Sequence, residues 1–318
     1  MSFSTEIKNE VCSLKLSRVE NISFLSGFVR NNKLEDVNKI SLVTENPKII
    51  RYLYNLFKEI YGVSPLIEKG KSNNFNKNTY YNLIIDNNAN FILKDIMLID
   101  ENNKILDKPK SYITDTEDLK RAYLRGVFLA CGSINDPKKL GYHMEFFIDN
   151  KSEASFVSNI LNDFYINNKM LARDNNYMVY VKESEKIGDF LRIISANVAL
   201  LYFEDIRIYR DHKNMTNRLN NCEQANVDKI VSSAQKQLND IKKLEDVIGL
   251  DLLDEKLQEV IIYRKKYPDV SLNDLSIIMT EETNKTITKS GLNHRYRKIQ
   301  EMAKKLDDSH IDWRREDY

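Results

Sequence analysis

The strongest constraint on the fold is an internal repeat in the first two thirds of the chain. Segments with helix or strand periodicity follow the order helix, strand, helix, strand, strand, helix at about residues 18–105, and the same order returns at about 115–205. The first helices of the two copies, "ENISFLSGFVRNN" and "DLKRAYLRGVFLACGSIND", carry Leu-x-Gly at the same place. A repeat of this length predicts two similar units that together form one domain over residues 1–210.

The two repeated glycines predict how these helices meet. Glycine inside a helix costs about 1 kcal/mol relative to alanine, and two helices whose backbones touch would compensate for that cost. We therefore expect Gly27 and Gly126 to face each other across a pseudo-twofold axis. Gly132 is expected to end its helix in the left-handed conformation.

Composition excludes several classes of protein. The 318 residues are 42% hydrophobic and 30% charged, as in soluble globular proteins, and no stretch approaches the roughly 18 apolar residues of a membrane span. The N-terminus lacks the apolar core of a signal peptide, which predicts a cytoplasmic protein. Cys12, Cys131 and Cys222 stand far apart and argue against a zinc site or a disulfide framework. No cofactor is indicated.

The last third of the chain has the pattern of consecutive helices. After a helical linker at 211–250, "LDEKLQEVIIYRKKY" has helical periodicity and ends before Pro268. Ser271 then caps "LNDLSIIM", with Asp274 in the capping-box position. A polar connection, "TEETNKTIT", leads to the helix "KSGLNHRYRKIQEMAKKL". This order predicts a helix-turn-helix domain at 251–306 and a polar tail at 307–318, although the nine-residue connection is longer than usual.

The final helix is expected to bind DNA. Its apolar stripe would be Leu292, Ile299, Met302 and Leu306, and basic residues are concentrated beside it although the net charge of the chain is only +1. In a helix-turn-helix the second helix enters the major groove. We expect Asn293 and Arg297 to read bases, and the following side chains to make mainly positioning contacts: Lys289, Ser290, His294, Arg295 and Lys298. The alternative is a solvated charged face.

The repeated helices resemble a known signature. "LSGFVRNNK" at 25–33 and "LRGVFLACG" at 124–132 resemble the nine-residue motif of LAGLIDADG homing endonucleases. This resemblance implies an α+β fold with a duplicated αββαββα-type domain of pseudo-twofold symmetry. In active members an acid at the eighth position of each copy binds a divalent metal ion, whereas Asn32 and Cys131 stand there in this chain. The sixth positions are Arg30 and Leu129. Because hard cations require oxygen ligands, we expect no bound metal and no nuclease activity.

Joined to a helix-turn-helix, this degenerate module resembles the WhiA family of bacterial DNA-binding regulators. The similarity runs from "MSFSTEIKNEV" through "LRGVFLACGSINDP" and "NRLNNCEQANVDK" to "SLNDL" and "TKSGLNHRYRKI". It implies sequence-specific binding of double-stranded DNA on the nucleoid and transcription control linked to sporulation, cell division and chromosome segregation. The ending "RNNK" of the first signature departs from the family pattern.

Two other functions stay open at the level of sequence. The first is an active metal-dependent endonuclease with displaced ligands, for which Asp136 and Glu145 are the nearby acids. The second is an interaction module, in which the domain at 1–210 binds a protein partner or a ligand. Because the pseudo-dyad lies within one chain, the protein is also compatible with a monomer.

Overall fold

The computed structural model describes residues 1–32, 34, 36–71, 79–139, 141–173 and 176–312, with side chains as far as residue 306. The chain forms two compact units, Met1–Asp211 and His212–Tyr318. No helix in the described ranges is long and apolar enough to cross a membrane.

The first unit contains seven strands and begins the long helix α8, in this order: α1 (Phe3–Val11), α2 (Arg18–Arg30), β1 (Ile40–Thr44), α3 (Pro47–Tyr61), β2 (Leu66–Lys71), β3 (Thr79–Ile85), α4 (Ala89–Asp95), α5 (Glu117–Cys131), β4 (Gly132–Ile134), β5 (Met144–Ile148), α6 (Lys151–Asp163), β6 (Lys169–Arg173), β7 (Asn176–Val181), α7 (Ser184–Ile193) and α8 (Asn197–Val247). The second unit ends α8 and adds three helices: α9 (Glu255–Lys266), α10 (Leu272–Thr283) and α11 (Lys289–Asp312). Strand and helix counts refer to the described residues.

The expected α+β repeat is confirmed, with one difference between the copies. The second copy, from α5 to α7, has the full αββαββα order, whereas the described residues of the first copy, from α2 to α4, contain one strand fewer. The sheets are antiparallel, in the orders β1-β3-β2 and β4-β5-β7-β6. In β1 and β3, Leu42 lies opposite Leu83, and in β5 and β7, Phe146 lies opposite Val179. All four side chains are buried in one continuous core.

Helices α2 and α5 touch through their backbones. A Cβ atom on Gly27 would lie 2.4 Å from the carbonyl oxygen of Tyr123, and one on Gly126 would lie 2.0 Å from that of Phe24. Each glycine therefore packs against the carbonyl three residues before the other glycine, which is a reciprocal, twofold-like contact. The start of α2 is fixed by a capping box in which the Ser17 hydroxyl accepts from Glu20 N.

Gly132 ends α5 as predicted, but the predicted left-handed conformation is wrong. Its backbone is extended, with φ −84° and ψ 150°, and it is the first residue of β4 rather than a left-handed helix terminus. A Cβ there would lie 2.3 Å from the ring and 2.8 Å from the Cα of Phe128. The chain therefore needs a glycine for space, where it turns directly from α5 into the sheet.

The second unit has its own core, to which the end of α8 contributes. Ile241 and Leu244 of α8 are buried with residues of all three following helices. The expected linker at 211–250 is therefore helical to Val247, and its last turns are part of this core. Helix α11 extends into the expected polar tail as far as Asp312, and residues 313–318 lie outside the described part of the chain.

Candidate nucleic-acid interface

Helix α10 begins at the expected cap but continues further than predicted. The Ser271 hydroxyl accepts from Asp274 N at 3.2 Å and donates to the Asp274 carboxylate at 2.6 Å. The helix then runs through Thr283, and the hydroxyls of Thr280 and Thr283 donate to carbonyls of the preceding turn at 2.7 and 2.6 Å. The predicted nine-residue connection is wrong: five residues, 284–288, join α10 to α11. Asn284, with φ 55°, ends α10 in the left-handed conformation.

Threonine side chains fix both ends of this connection. Ile287 N donates to the Thr280 hydroxyl at 3.1 Å, and the Ile287 side chain is buried in the core of the second unit. The Thr288 hydroxyl accepts from Gly291 N at 3.1 Å, in the first turn of α11. The direction in which α11 leaves the connection is therefore set by hydrogen bonds to side chains of the connection and α10.

A buried arginine positions the three helices. Arg264 of α9 is only 1% exposed, and its Nη1 donates to the carbonyl oxygens of Val270, at 2.7 Å, and Tyr267, at 3.3 Å. Its guanidinium also lies over the Tyr296 ring of α11, 5.5 Å from the centroid. The role of Arg264 was not predicted from the sequence. The available signal was an arginine at helical spacing from the apolar residues Val260 and Ile261 of α9.

Six of the seven predicted DNA contacts are exposed on α11: Lys289, Ser290, Asn293, His294, Arg297 and Lys298. Leu292 and Ile299 form the expected buried stripe, whose other fully buried members are Tyr296 and Ala303. Met302 and Leu306, which were also expected there, are partly buried against the same core. Between residues 289 and 300 the sequence has no acid, so α11 presents cations, amides and a hydroxyl without a competing carboxylate of its own.

Arg295 has different surroundings from the other six. Its side chain is 24% exposed, and its Nη1 lies 3.6 Å from the carboxylate of Glu259 in α9. Lys285, in the connection before α11, is 3.8 Å from the same glutamate. Arg295 thus takes part in an ion-pair cluster that attaches the start of α11 to α9.

The signature positions of the first unit carry no carboxylate. The Asn32 amide donates to Phe28 O at 3.0 Å, back along its own helix. Cys131 contacts Val127 O at 3.4 Å, and desolvation by the surrounding protein raises the pKa of its thiol to about 12. Lys33, the last residue of the first signature, lies outside the described residues. In the described ranges no three His, Cys, Asp or Glu side chains are grouped as a metal site requires.

The two acids considered as displaced ligands have other contacts. The Asp136 carboxylate accepts from Lys138 N at 2.9 Å in a turn. Glu145 lies 2.9 Å from the His143 ring nitrogen on the second sheet.

A buried ion pair lies next to the signature helices. Glu153, in the first turn of α6, is 1% exposed, and it accepts from Tyr123 OH at 2.6 Å and from the Asn31 amide at 3.3 Å. Arg30 Nε lies 3.7 Å from its second oxygen. Burial raises the pKa of the Glu153 carboxyl, and the charge of Arg30 acts in the opposite direction. Arg30 also donates to the carbonyl oxygens of Met97 and Leu106. The role of Glu153 was not predicted from the sequence, because a glutamate in the first turn of a helix is ordinarily explained by its favourable interaction with the helix dipole.

The sheet faces that point away from the core are rich in apolar side chains. Residues directly opposite in antiparallel strands share a face, so the registers define these two sets. The first sheet presents Ser41, Val43, Leu66, Glu68, Gly70, Tyr80, Asn82 and Ile84. The second presents Ser133, Glu145, Phe147, Lys169, Leu171, Arg173, Asn176, Met178 and Tyr180. Of the residues in these two sets, only Lys169 and Arg173, both on the edge strand β6, are cationic.

Comparison with known proteins gives the same domain order. Sequence profiles of the WhiA N-terminal LAGLIDADG-like domain, the WhiA LAGLIDADG-like domain and the WhiA C-terminal HTH domain match residues 20–99, 120–213 and 216–303. A crystal structure of full-length DUF199/WhiA from Thermotoga maritima superposes with a TM-score of 0.56 at 24% identity, covering 96% of this chain and 99% of the other.

Curated relatives extend the similarity to almost every residue. The probable cell division protein WhiA of Lactobacillus gasseri is 37% identical over 311 residues, which are 96% of this chain and 98% of the relative. The protein of the same name from Bacillus cereus is 38% identical over 310 residues, 96% and 97% of the two chains. With three consecutive domain matches and this identity along its length, the chain belongs to the WhiA family.

Proposed function

We propose that the chain is a sequence-specific DNA-binding regulator without nuclease activity, and that α11 is its recognition helix. The observation that carries the proposal is the exposed, acid-free first half of α11 in a domain that matches the WhiA HTH profile. Its relatives are named as cell division proteins, which supports a role in cell division. Transcription control, and links to sporulation and chromosome segregation on the nucleoid, are the finer parts of this proposal.

Different side chains of α11 have different tasks in this proposal. Asn293 and Arg297 can each form two hydrogen bonds to a base edge, with adenine and guanine respectively. Lys289, Ser290, His294 and Lys298 contact phosphates, and the lysines among them replace counterions of the DNA. Arg295, paired with Glu259 of α9, mainly positions the start of α11 and contributes much less to phosphate binding. Every cation of α11 that lies against the DNA, Arg297 included, replaces a counterion and adds to the salt dependence of binding, whereas base contacts determine the preferred sequence.

The test is a salt series of DNA affinity with the full chain. We expect Arg297→Gln with Lys298→Gln to reduce the slope of log K against log salt by about two units, near 0.9 for each lost contact. The matched control is Lys236→Gln with Lys242→Gln, which removes two exposed charges from α8 and should leave the slope unchanged. Equal slopes in the two double variants would overturn α11 as the DNA-binding element.

Base reading needs a separate measurement. Selection from a random duplex library with wild-type chain and with Asn293→Ala should yield motifs that differ at one position, because the amide no longer discriminates there. Lys298→Gln should weaken binding to all selected sequences by a similar factor and leave the motif intact. An unchanged motif with Asn293→Ala would contradict the assignment.

The absence of nuclease activity is supported by what replaces the signature acids. Asn32 and Cys131 offer an amide and a protonated thiol where two carboxylates would have to hold a hard cation. Arg30, at a sixth position, adds a positive charge paired with Glu153.

A second proposed function concerns the first unit, as a surface for a protein partner. The outward sheet faces combine apolar side chains, such as Leu66, Phe147 and Leu171, with few cations, which suits protein contact better than phosphate contact. Lys169→Gln with Arg173→Gln in the full chain should then leave the salt slope of DNA binding unchanged. A reduction of the salt slope similar to that of the α11 double variant would mean that this sheet contacts DNA. The same proposal is compatible with a chain that acts as a monomer.

A further inference from the structure

A groove of about 450 Å³ lies within the second unit. It is lined by residues of α8, including Asn226 and Lys229, by the first residues of α10 with their cap Ser271, and by Lys289, the first residue of α11. The groove therefore brings together the long helix and the two helices of the DNA-binding motif.

The groove is positively charged. Its lining includes Lys229, Arg264 and Lys289. All of the lining residues lie in the described part of the chain, and none of them is acidic. The carboxylate of Asp274 is not part of the lining and accepts from the Ser271 hydroxyl. Within the described residues, the ammonium groups of Lys229 and Lys289 form no ion pair and no hydrogen bond.

The N-terminus of α10 adds unpaired backbone donors. The first backbone bond of this twelve-residue helix runs from Leu275 N to Ser271 O, and the Asp274 amide is capped by the Ser271 hydroxyl. The amides of Leu272 and Asn273 precede these bonds, and both residues line the groove. Amides in the first turn carry the positive end of the helix dipole and favour a bound anion.

Arg264 is an independent sign of a ligand. It lines the groove, is only 1% exposed, and its Nε has no hydrogen-bond acceptor within the described residues. A buried cation with an unused donor costs free energy, which an anion in the groove would offset. The helix terminus and this arginine thus indicate the same ligand charge by separate arguments.

We propose that this groove binds a phosphate group and that the DNA backbone supplies it. The inference rests on the proposed function of α11 and extends the DNA interface to α8 through Lys229. Lys289 lines the groove and also belongs to the helix proposed to contact the bases. When α11 is bound to DNA, the anion nearest to the groove is therefore a backbone phosphate next to the contacted base pairs. The N-terminus of α10, Lys229 and Lys289 would then hold one phosphate while α11 occupies the major groove.

The test compares two lysines of the same helix in the full chain. Lys229→Gln removes a groove cation, and Lys242→Gln removes an exposed cation of α8 that does not line the groove. We expect Lys229→Gln to lower the salt slope of DNA binding by about 0.9 and the affinity about eightfold at 0.1 M salt. Lys242→Gln should behave like wild type. A second arm measures Tm in inorganic phosphate and in chloride at equal ionic strength.

The outcomes separate the two sources of phosphate. A slope change confined to Lys229→Gln supports the DNA backbone. If Lys229→Gln keeps the wild-type slope, the DNA assignment is overturned. If, in addition, phosphate raises the Tm of the wild-type chain but not that of Lys229→Gln, the groove binds free phosphate. If phosphate does not raise the Tm of the wild-type chain either, the groove is not a phosphate site. Failure of the groove is distinguishable from failure of the proposed function, because the Arg297 and Lys298 variants test α11 without touching the groove.

Discussion

At the scale of single residues, Glu153 connects the two repeated copies of the first unit. Its carboxylate is bound by Tyr123 from α5 and by Arg30 and Asn31 from the end of α2. A carboxylate with this little exposure is stable only while its partners remain, since an isolated buried charge is very costly. Glu153 is therefore a structural residue close to the signature positions.

Replacing Glu153 should distinguish its shape from its charge. Glu153→Ala leaves the Tyr123 hydroxyl and the Asn31 amide without this acceptor and the buried Arg30 without its ion-pair partner, and we expect it to lower the free energy of unfolding by about 3 kcal/mol. Glu153→Gln keeps an acceptor oxygen and should cost less. Urea unfolding of the full chain, followed by a signal of the first unit, measures both; equal losses would contradict the role of the hydrogen bonds.

The stabilities of wild type and of Glu153→Gln should depend differently on pH. The pKa of Glu153 is raised in the folded state by burial, so the folded protein binds this proton more tightly than the unfolded chain. The stabilising contribution of protonation is complete below the unfolded pKa, near 4.3, and is lost as the pH rises through the folded pKa. Wild type should therefore gain stability relative to Glu153→Gln as the pH falls from neutral. A difference that is flat, or of opposite sign, would contradict the raised pKa.

Gly126 allows a sharper steric prediction. An added Cβ would lie 2.0 Å from a backbone oxygen of α2, which cannot move aside as a flexible side chain could. We expect Gly126→Ala to lower the free energy of unfolding by about 3 kcal/mol or more, through separation of the two helices. The matched control is Gly291→Ala in α11, where the nearest atom is a threonine hydroxyl at 3.3 Å and helix propensity favours alanine. Similar stabilities of the two variants would exclude a tight backbone contact.

At the scale of secondary structure, α11 contains two classes of arginine. Arg297 is exposed, whereas Arg295 is near Glu259 of α9 and lies partly beneath the surface. We expect Arg297→Gln to reduce the salt slope of DNA binding by about 0.9. Arg295→Gln should reduce it by much less and should instead lower the Tm of the second unit. If both variants change the slope equally, the Glu259 contact must open when DNA binds.

Periodicity and capping residues were sufficient to predict most elements. Helix α3 and the paired strands β2 and β3 have the predicted place in the order of the first repeat, and the Ser271 cap is present where expected. The helix-turn-helix connection was predicted too long because Thr280 and Thr283 look like loop residues. Their hydroxyls donate hydrogen bonds to carbonyl oxygens of the helix, and the sequence pattern does not indicate such bonds.

What the sequence did not reveal depends on contacts between distant segments. Glu153 and Arg30 are more than a hundred residues apart, and only the fold makes them partners. The backbone of Gly132 is extended because this residue begins strand β4. A strand of only three residues is too short to be recognised from the alternation of apolar and polar side chains. Six of the seven side chains predicted to contact DNA are exposed on α11, because a helix places residues on its surface by sequence spacing alone. That they contact DNA stays a prediction.

At the scale of the whole molecule, DNA affinity must come from local charge. The chain has 48 basic and 47 acidic side chains, so its net charge of +1 provides little long-range attraction for DNA. The cations of α11 and the charged groove beside it are in the second unit, whereas the outward sheet faces of the first unit carry few. The proposed division of labour follows from this: the second unit binds DNA, and the first unit has a LAGLIDADG-like fold used for something other than cleavage.

The last prediction tests that division in the complete protein. Supercoiled plasmid incubated with Mg²⁺ and a stoichiometric amount of the full chain should show no more nicking than the same mixture with EDTA, because no carboxylate stands at position 32 or 131 to hold the ion. A mobility shift in the same tube establishes that the DNA is bound. Nicking that requires Mg²⁺ would contradict the proposal, and its loss in Asp136→Asn or Glu145→Gln would identify displaced ligands. Nicking that survives both substitutions would indicate a contaminating nuclease, which repeated purification should remove.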